Sequence, residues 1–483
     1  MADLPLQLQV INGEDVEALD LERFDVLDPS TGERIADVPR AKAADVDVAV
    51  AAAREAFETW RRVAPSDRGR MLVVAAQYLR ERSAELALIG ALDTGLPLTS
   101  MERDVEATAR YLEFYGGLAD KIGGEVVPLG SEFLDYTERE PWGVCAVIVP
   151  YNSPFQVLAR SMAPALAAGN TVVGKSAEQA PLGPLYLARA LREAGIPRGV
   201  VNVITGLGTE SGAALTGHPD VDRITFTGSE ATGRLVMEAA TRNLTPVTLE
   251  LGGKSPQIVF ADADLELAAQ TVAASLVWSA GQVCSAGTRL LVERSVRDGV
   301  VAAVVAKMSA TKLGPAVDSP GMGPLISEQQ RSSVLAAIDA ASSVGARLLT
   351  GGSELPETGS GGFFVSPTVF DQVDPTSDLA QEEIFGPVLA VMDFETEEEA
   401  LALANGTRFG LIAGLWTRDL AKAHRVAREL RCGQVYVNTF GAGTGIELPF
   451  GGFKNSGIGR EKGIAGYLEY SQIKNICVKV GTE

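Results

Sequence analysis

Histidine and cysteine are scarce in this sequence. Only His218 and His424 occur, and the four cysteines, Cys145, Cys284, Cys432 and Cys477, lie far apart with no CxxC pair. That pattern argues against a His/Cys metal centre and against a disulfide scaffold, so no metal is expected. Positive charge is also short: 62 Asp and Glu against 42 Lys and Arg leave a formal net charge of −20. No basic patch of the density needed for nucleic acid or an anionic membrane is present. Long apolar runs are missing too. The uncharged stretch 141–159 is broken by Pro150, Asn152 and Pro154, and the stretch 267–288 carries Gln270, Ser275, Ser279 and Gln282. Neither reads as a membrane span. The opening "MADLPLQLQVINGEDVEALD" has no basic leader, apolar signal core or Arg-rich transit bias. A cytoplasmic, thiol-reducing location is expected.

What the chain does have is apolar material. With 46% hydrophobic residues over 483 positions, it can form a large core, in roughly two to four domain-sized units. Residues 44–122 read as helices: "ADVDVAVAAAREAFETW", "SDRGRMLVVAAQYLRERSAELALIGAL" and "SMERDVEATARYLEFYGGLA". From 143 the rhythm changes to short β-branched runs, "VCAVIV", "TVVG", "VNVITG", "RITFTG" and "VTLEL", separated by helical stretches. Buried strands alternating with helices predict a doubly wound α/β layer, which binds ligands at the carboxyl ends of its strands. A second series of the same kind follows Gly253, from "QIVF" through "TRLLVE", "FFVSPTVF", "VLAVMDF" and "AGLWT" to "GQVYVN". "EFLDYTERE" and "YSQIKNICVKV" read as strands that could pair with each other. No short-period repeat or low-complexity tract occurs.

One thiol stands apart. Cys284, in "SAGQVCSAGTRL", lies where a helix should give way to a strand, with Gly281, Gly287, Ser285 and Ala286 around it. A cysteine attacks only as thiolate, and a free one has a pKa of about 8.5. It is either a small core residue or a nucleophile, and no histidine can be assigned as its base. Glu250, at the end of the buried run in "VTLELGGKSP", is a candidate base with a raised pKa, or else a cap or salt-bridged glutamate. Asn152 in "IVPYNSPF" is either a rigid amide donor for an oxyanion or a turn residue. Lys175 and Glu178 in "VVGKSAEQAP" suit ribose hydroxyls, or simply pair. Gly228, Ser229 and Gly233 in "FTGSEATG" open a helix whose N-terminus favours phosphate. This is not GxGxxG, and "GLG" at 206–208 is weaker still.

Together, "PYNSPF", "GKSAEQAP", "FTGSEATG", "LELGGKSP", "GQVCSAGTRL", "EEIFGPV" and "PFGGFKNSGIGRE" occur in the order and rough spacing of the NAD(P)-dependent aldehyde dehydrogenase superfamily. The resemblance runs from "DPSTGERIADVP" to the C-terminal strand. It implies oxidation of a small-molecule aldehyde to a carboxylic acid through a thiohemiacetal and a thioester on Cys284. Asn152 and the Cys284 N–H would hold the oxyanion, and Glu250 would activate the hydrolytic water. It further implies cofactor contacts at Ile148, Lys175, Glu178, Gly208, Gly228, Ser229, Gly233, Leu251, Glu383 and Phe385. The cofactor would be NAD, with NADP possible.

The implied fold is α/β. A Rossmann-like cofactor-binding domain (1–120 and 142–251) joins an α/β catalytic domain (252–468) and a small β oligomerisation element (121–141 and 469–483). A homodimer or homotetramer would cover the open strand edges. Positions matching the aldehyde tunnel include Ser153, Gln156, Val157, Arg160, Val283, Ser285, Phe440 and Phe450. Arg160 either meets a distal polar group of the substrate or pairs with a carboxylate. Tyr111, Phe114 and Tyr115 are an outer aromatic wall or, preferably, core. Glu461 corresponds to a glutamate sometimes placed in a proton path, a salt bridge being the favoured reading. One departure stands out. Many members carry a proton-relaying lysine nine residues after the asparagine, and here that position is Ser161. The rival function is a thiol-dependent esterase, thioesterase or acyl transferase on the same scaffold. A CoA-acylating variant is disfavoured because Glu250 points to water as acyl acceptor, and a non-enzymatic role is disfavoured by the intact Cys284, Asn152 and Glu250.

Overall fold

The structure is a computed structural model that describes residues 4–443 and 445–481. The β-branched runs that begin at Val144 form five parallel strands: β1 (Val144–Ile148), β2 (Thr171–Lys175), β3 (Val201–Ile204), β4 (Arg223–Thr227) and β5 (Val247–Glu250). Their order is β3-β2-β1-β4-β5. The chain winds outward from β1 to β3, then returns to the other side of β1. That reversal opens a crevice beyond the strand ends. A hairpin of Gln9–Ile11 and Glu14–Val16 extends the β3 edge, and Gly457–Ile458 pairs antiparallel with β5 at the other.

Period-two burial is visible within β1. Val144 and Ala146 pack with Val46, Ala49, Val50 and Ala53 of the helix Ala43–Trp60. Cys145 and Val147 face the opposite layer, which contains Leu158, Met162 and Leu166. Each large aliphatic side chain buried this way contributes about 1.5–3 kcal/mol. Cys145 is therefore a core residue.

The second series forms β6 (Pro256–Val259), β7 (Arg289–Glu293), β8 (Thr368–Asp371), β9 (Val388–Phe394), β10 (Ile412–Trp416) and β11 (Gln434–Val437). They lie parallel in the order β8-β9-β7-β6-β10-β11, with Arg347–Thr350 antiparallel on the β8 edge. Val126–Val127, Phe133–Pro141 and Ser471–Lys479 make a separate three-stranded antiparallel sheet. The helices that position the site are α1 (Leu98–Leu118), α2 (Pro154–Ala168), α3 (Leu265–Val277) and α4 (Gly463–Glu469).

Three expectations change. The helix expected from Ser66 is two helices, Pro65–Glu81 and Ser83–Thr94, with a turn at Arg82 that no Gly or Pro announces. "FFVSPTVF" pairs only from Thr368 onward, since Pro367 has no N–H to give to a ladder. The segment 252–468 does not stay with the second sheet to its end. Gly457–Ile458 joins β5, and Ile446 and Tyr467 pack in the core of the first layer. Residues 1–3 and 482–483 of the expected outer segments, and Thr444, lie outside the described residues. Among the described residues, no helix is long and apolar enough to cross a membrane.

Candidate active site

Helix α3 starts at Asp264, whose carboxylate accepts the Leu267 N–H at 3.1 Å, and it ends before Trp278. Ser279, Ala280 and Gly281 then adopt φ of 54°, 51° and 71°. Three left-handed residues in a row turn the chain sharply, at about 1–2 kcal/mol for each non-glycine residue. A Cβ on Gly281 would lie 2.2 Å from the Gly386 carbonyl oxygen, so the turn rests directly on the strap after Glu383. The Gln282 side chain accepts from the Ile326 N–H at 2.9 Å and donates to the Ser279 carbonyl at 3.1 Å. On the other side, a Cβ on Gly253 would lie 2.5 Å from the Cys284 carbonyl oxygen. The Cys284 backbone is thus clamped, and its half-buried side chain faces a cavity of ≈ 1260 Å³. Gly281→Ala is expected to lower stability by about 2–4 kcal/mol, read from the midpoint of chemical denaturation. An unchanged midpoint would contradict the clamp.

Asn152, in the turn between β1 and α2, donates its Nδ2 to the Gln282 carbonyl at 2.8 Å. The second amide hydrogen is left for another acceptor. Nearby on α1, Asp104 also lines the cavity; burial pushes its carboxyl up to about 7, opposed by the Gln156 N–H and the Ser153 hydroxyl. An aspartate on a core-facing helix is a signal that the sequence reading passed over.

Glu250 ends β5 with 1% exposure, and among the described residues neither of its carboxylate oxygens has a hydrogen-bond partner. Burial above all, then the negative Glu461, holds this carboxyl well above the usual carboxylate range, against the pull of Arg160, Arg460 and Lys462. Burial likewise pushes the Cys284 thiol up to about 12; Arg160 and Lys462 pull it down, while Glu383 and Glu250 raise it. At neutral pH the resting site holds a thiol beside an acid able to change protonation state.

Arg160 lines the cavity, but its guanidinium forms a buried ion pair with Glu461 and donates to the Thr227 hydroxyl at 2.9 Å. The Ser161 hydroxyl donates to the same Glu461 carboxylate. Of the two readings of Arg160, the pairing with a carboxylate is present in the structure, and the residue lines the cavity as well. The salt-bridge reading of Glu461 describes what is there. Gln156, Val283, Ser285, Phe440 and Phe450 all face the cavity. Tyr111 and Tyr115 are wholly buried in the core. Trp278, Tyr436 and Lys462 also line the cavity and were not singled out from sequence, because each comes from a loop or edge strand whose partner is remote in the chain.

The other end of the cavity reaches Gly228, Ser229, Gly252, Glu383 and Phe385. Glu383 accepts the Gly253 N–H at 3.0 Å, and burial pushes its carboxyl up to about 7. A Cβ on Gly252 would lie 2.1 Å from this carboxylate. Phe385 (φ 56°) packs edge-on against Tyr151, and Gln330 donates to the Ile384 and Phe385 carbonyls. Beyond the cavity wall, Ile148 ends β1, Lys175 ends β2 with Glu178 just after it, and Gly208 follows β3. Lys175 pairs with Glu178 at 3.3 Å. Among the described residues, none but its own neighbours along the chain comes within 4 Å of where a Cβ on Gly208 would be. Gly233 and Leu251 are buried against each other, a Cβ on Gly233 falling 2.7 Å from the leucine side chain, so close helix–strand packing is one demand on both.

A family model described as the aldehyde dehydrogenase family matches residues 16–476. An aldehyde dehydrogenase of Aspergillus niger is 44% identical over 475 residues, covering 98% of this chain and 95% of that protein. The crystal structure of an indole-3-acetaldehyde dehydrogenase in complex with NAD+ is 42% identical, covers 98% of this chain and 96% of that one, and superposes with a TM-score of 0.96. The NAD+ complex of an aldehyde dehydrogenase from Bacillus cereus is 40% identical with the same coverage and TM-score. The chain belongs to the aldehyde dehydrogenase family. It is accordingly an oxidoreductase that acts on the aldehyde group of its donors.

Proposed function

We propose that the protein oxidises aldehydes to carboxylic acids with NAD, and that Cys284, Asn152 and Glu250 carry the reaction. The observation that carries this reading is their convergence: a half-buried thiol, an anchored amide and a buried carboxyl face one cavity. The residues fit a dinucleotide. The strand order reverses beside β1, Gly208 leaves open space for a close backbone approach, and exposed Ser229 caps a helix N-terminus suited to phosphate. Lys175 and Glu178 would take the adenosine ribose, and Glu383 and Phe385 the nicotinamide end.

Cys284 Sγ gives up its proton to water and attacks the aldehyde carbon. The free hydrogen of the Asn152 amide and the Cys284 N–H stabilise the oxyanion. As the C=O re-forms, the carbon loses hydrogen with its electron pair, leaving a thioester on Cys284. NAD, when bound, supplies the hydride acceptor. Glu250 then takes a proton from water as the water attacks the thioester carbon, and Cys284 departs as thiol. The sum is aldehyde, NAD and water giving acid, NADH and a proton.

Supporting a medium-sized or aromatic substrate, Ser153, Val283 and Ser285 leave room while Trp278, Tyr436, Phe440 and Phe450 supply apolar walls. Absorbance of NADH across an aldehyde panel tests the function; efficiency should be higher for aromatic aldehydes than for acetaldehyde. Ester hydrolysis without NADH from any aldehyde would favour the rival hydrolase. Glu178 would accept from the ribose hydroxyls and repel a 2′-phosphate. NAD is therefore expected to be preferred over NADP, with the gap narrowed about tenfold in Glu178→Gln. Equal efficiency with both cofactors in the unaltered protein would remove the argument.

The cofactor-binding unit is assigned to 1–120 and 142–251 and the catalytic unit to the second sheet. The three-stranded sheet is assigned to subunit contact, since Ile473, Val126 and Leu134 leave it apolar and exposed. A homodimer or homotetramer follows. Four unpaired cysteines suit a cytoplasmic location.

A further inference from the structure

A dinucleotide bound as proposed would be held from both layers. Ser229 follows β4 of the first sheet and opens the helix Glu230–Ala240. Glu383 and Phe385 lie on the strap between the short helix Asp378–Gln381 and β9 of the second. Arg408 stands between the two. Its Nε donates to Glu230 Oε2 at 2.9 Å, on the first residue of the helix. Its two terminal nitrogens donate to both oxygens of Glu382, the residue before Glu383. One planar guanidinium therefore grips two carboxylates from different layers, with a fork that a lysine cannot reproduce. The Arg408 bond holds the Glu382 carboxyl below the usual carboxylate range, against a smaller push from burial.

The backbone and side chain of Arg408 are both anchored. Phe409 and Gly410 pair antiparallel with Lys454 and Phe453, and the Asn455 N–H donates to the Arg408 carbonyl at 3.0 Å. The guanidinium lies 4.5 Å from the centroid of the Phe409 ring. The Asn455 amide donates to Glu230 Oε1 at 2.9 Å, and Arg234 donates to the same oxygen at 2.6 Å. Glu230 thus keeps a cation when Arg408 is replaced. The other ties on the strap, Gly253 to Glu383 and Gln330 to the Ile384 and Phe385 carbonyls, do not involve the helix Glu230–Ala240. An isolated exposed ion pair contributes little, but this one is forked and networked, and the Glu230 side chain is only 17% exposed. We infer that Arg408 is a positioning residue for the cofactor, fixing the strap that carries Glu383 and Phe385 against the helix that Ser229 opens. The inference rests on the reading of those three residues as cofactor contacts. Arg408 acts through Glu382 and Glu230, setting the span between the phosphate end and the nicotinamide end.

The test compares the dissociation constants of NAD and ADP, measured by titration calorimetry. ADP carries the adenosine and both phosphates but lacks the nicotinamide and its ribose, so it reaches the helix and not the strap. In Arg408→Met the Kd for NAD should rise about tenfold while that for ADP changes by less than about twofold. The KM for NAD should rise in step, with the KM for the aldehyde held within about twofold. Arg408→Lys, which keeps the charge and loses the fork, should fall between the two. Glu382→Ala should reproduce the NAD-selective loss, and the double variant should be no worse than either single one, because both cut the same tie. Retained ADP affinity shows in each case that the first layer is folded. Equal weakening of NAD and ADP overturns the inference, by placing the effect on the phosphate helix alone. Unchanged NAD affinity in Arg408→Met overturns it too, as do losses that add in the double variant. An unaltered protein that binds neither NAD nor ADP overturns the cofactor reading itself, and this inference with it.

Discussion

Cys284→Ala is expected to cut NADH formation by at least about 10³-fold, because without the sulfur there is no covalent intermediate to divide the reaction. NAD should still bind with its affinity changed by less than about threefold, since the groups assigned to the cofactor are Lys175, Glu178, Ser229, Glu383 and Phe385. The backbone at 284 is clamped by Gly281 and Gly253 and not by the thiol, so the melting temperature should hardly move. Turnover above about 1% of the unaltered rate would remove Cys284 from its role. Cys145 is buried in the core, and Cys432 donates to the Gln434 carbonyl at 3.2 Å, so neither is placed to substitute for it.

Glu250→Gln should slow turnover by about 10²–10⁴-fold, the usual range for loss of a general base, while sparing the first hydride transfer. Mixing this variant with NAD and aldehyde is expected to give a burst of NADH near one equivalent per site, followed by a slow steady state. In the unaltered enzyme the raised carboxyl should make kcat rise with pH until Glu250 is ionised and then level off. The variant should lose that rise. Loss of the burst together with turnover would place Glu250 before the thioester, at thiolate formation. The amide is nearly isosteric with the buried carboxyl, so a large fall in stability is not expected.

The parallel sheets were legible because their strands are continuous β-branched runs bounded by turn residues, a pattern that a strand buried on both faces must have. Cys284, Glu250 and Asn152 could be singled out because each follows or precedes such a run, where a side chain reaches the strand ends. What stayed hidden depends on pairings across long sequence distances. Arg160 gave no sign of its ion pair because its partner, Glu461, which also accepts from Ser161, is remote in the chain. The packing of Gly233 against Leu251 leaves no local trace in the sequence. Lys462 carried no local pattern: its φ of 61° and its place in the cavity wall show only in the folded chain. The left-handed turn at 279–281 was half legible, since Gly281 marks it and Ser279 and Ala280 disguise it.

The most direct test of the account is the intact mass of the Glu250→Gln protein quenched in acid within the burst, after mixing with NAD and an aromatic aldehyde. The account predicts a gain equal to the aldehyde less two hydrogens, on a peptide containing Cys284 and released by hydroxylamine as a thioester would be. A burst of NADH with no added mass, or with the mass on Cys145, Cys432 or Cys477, would contradict it.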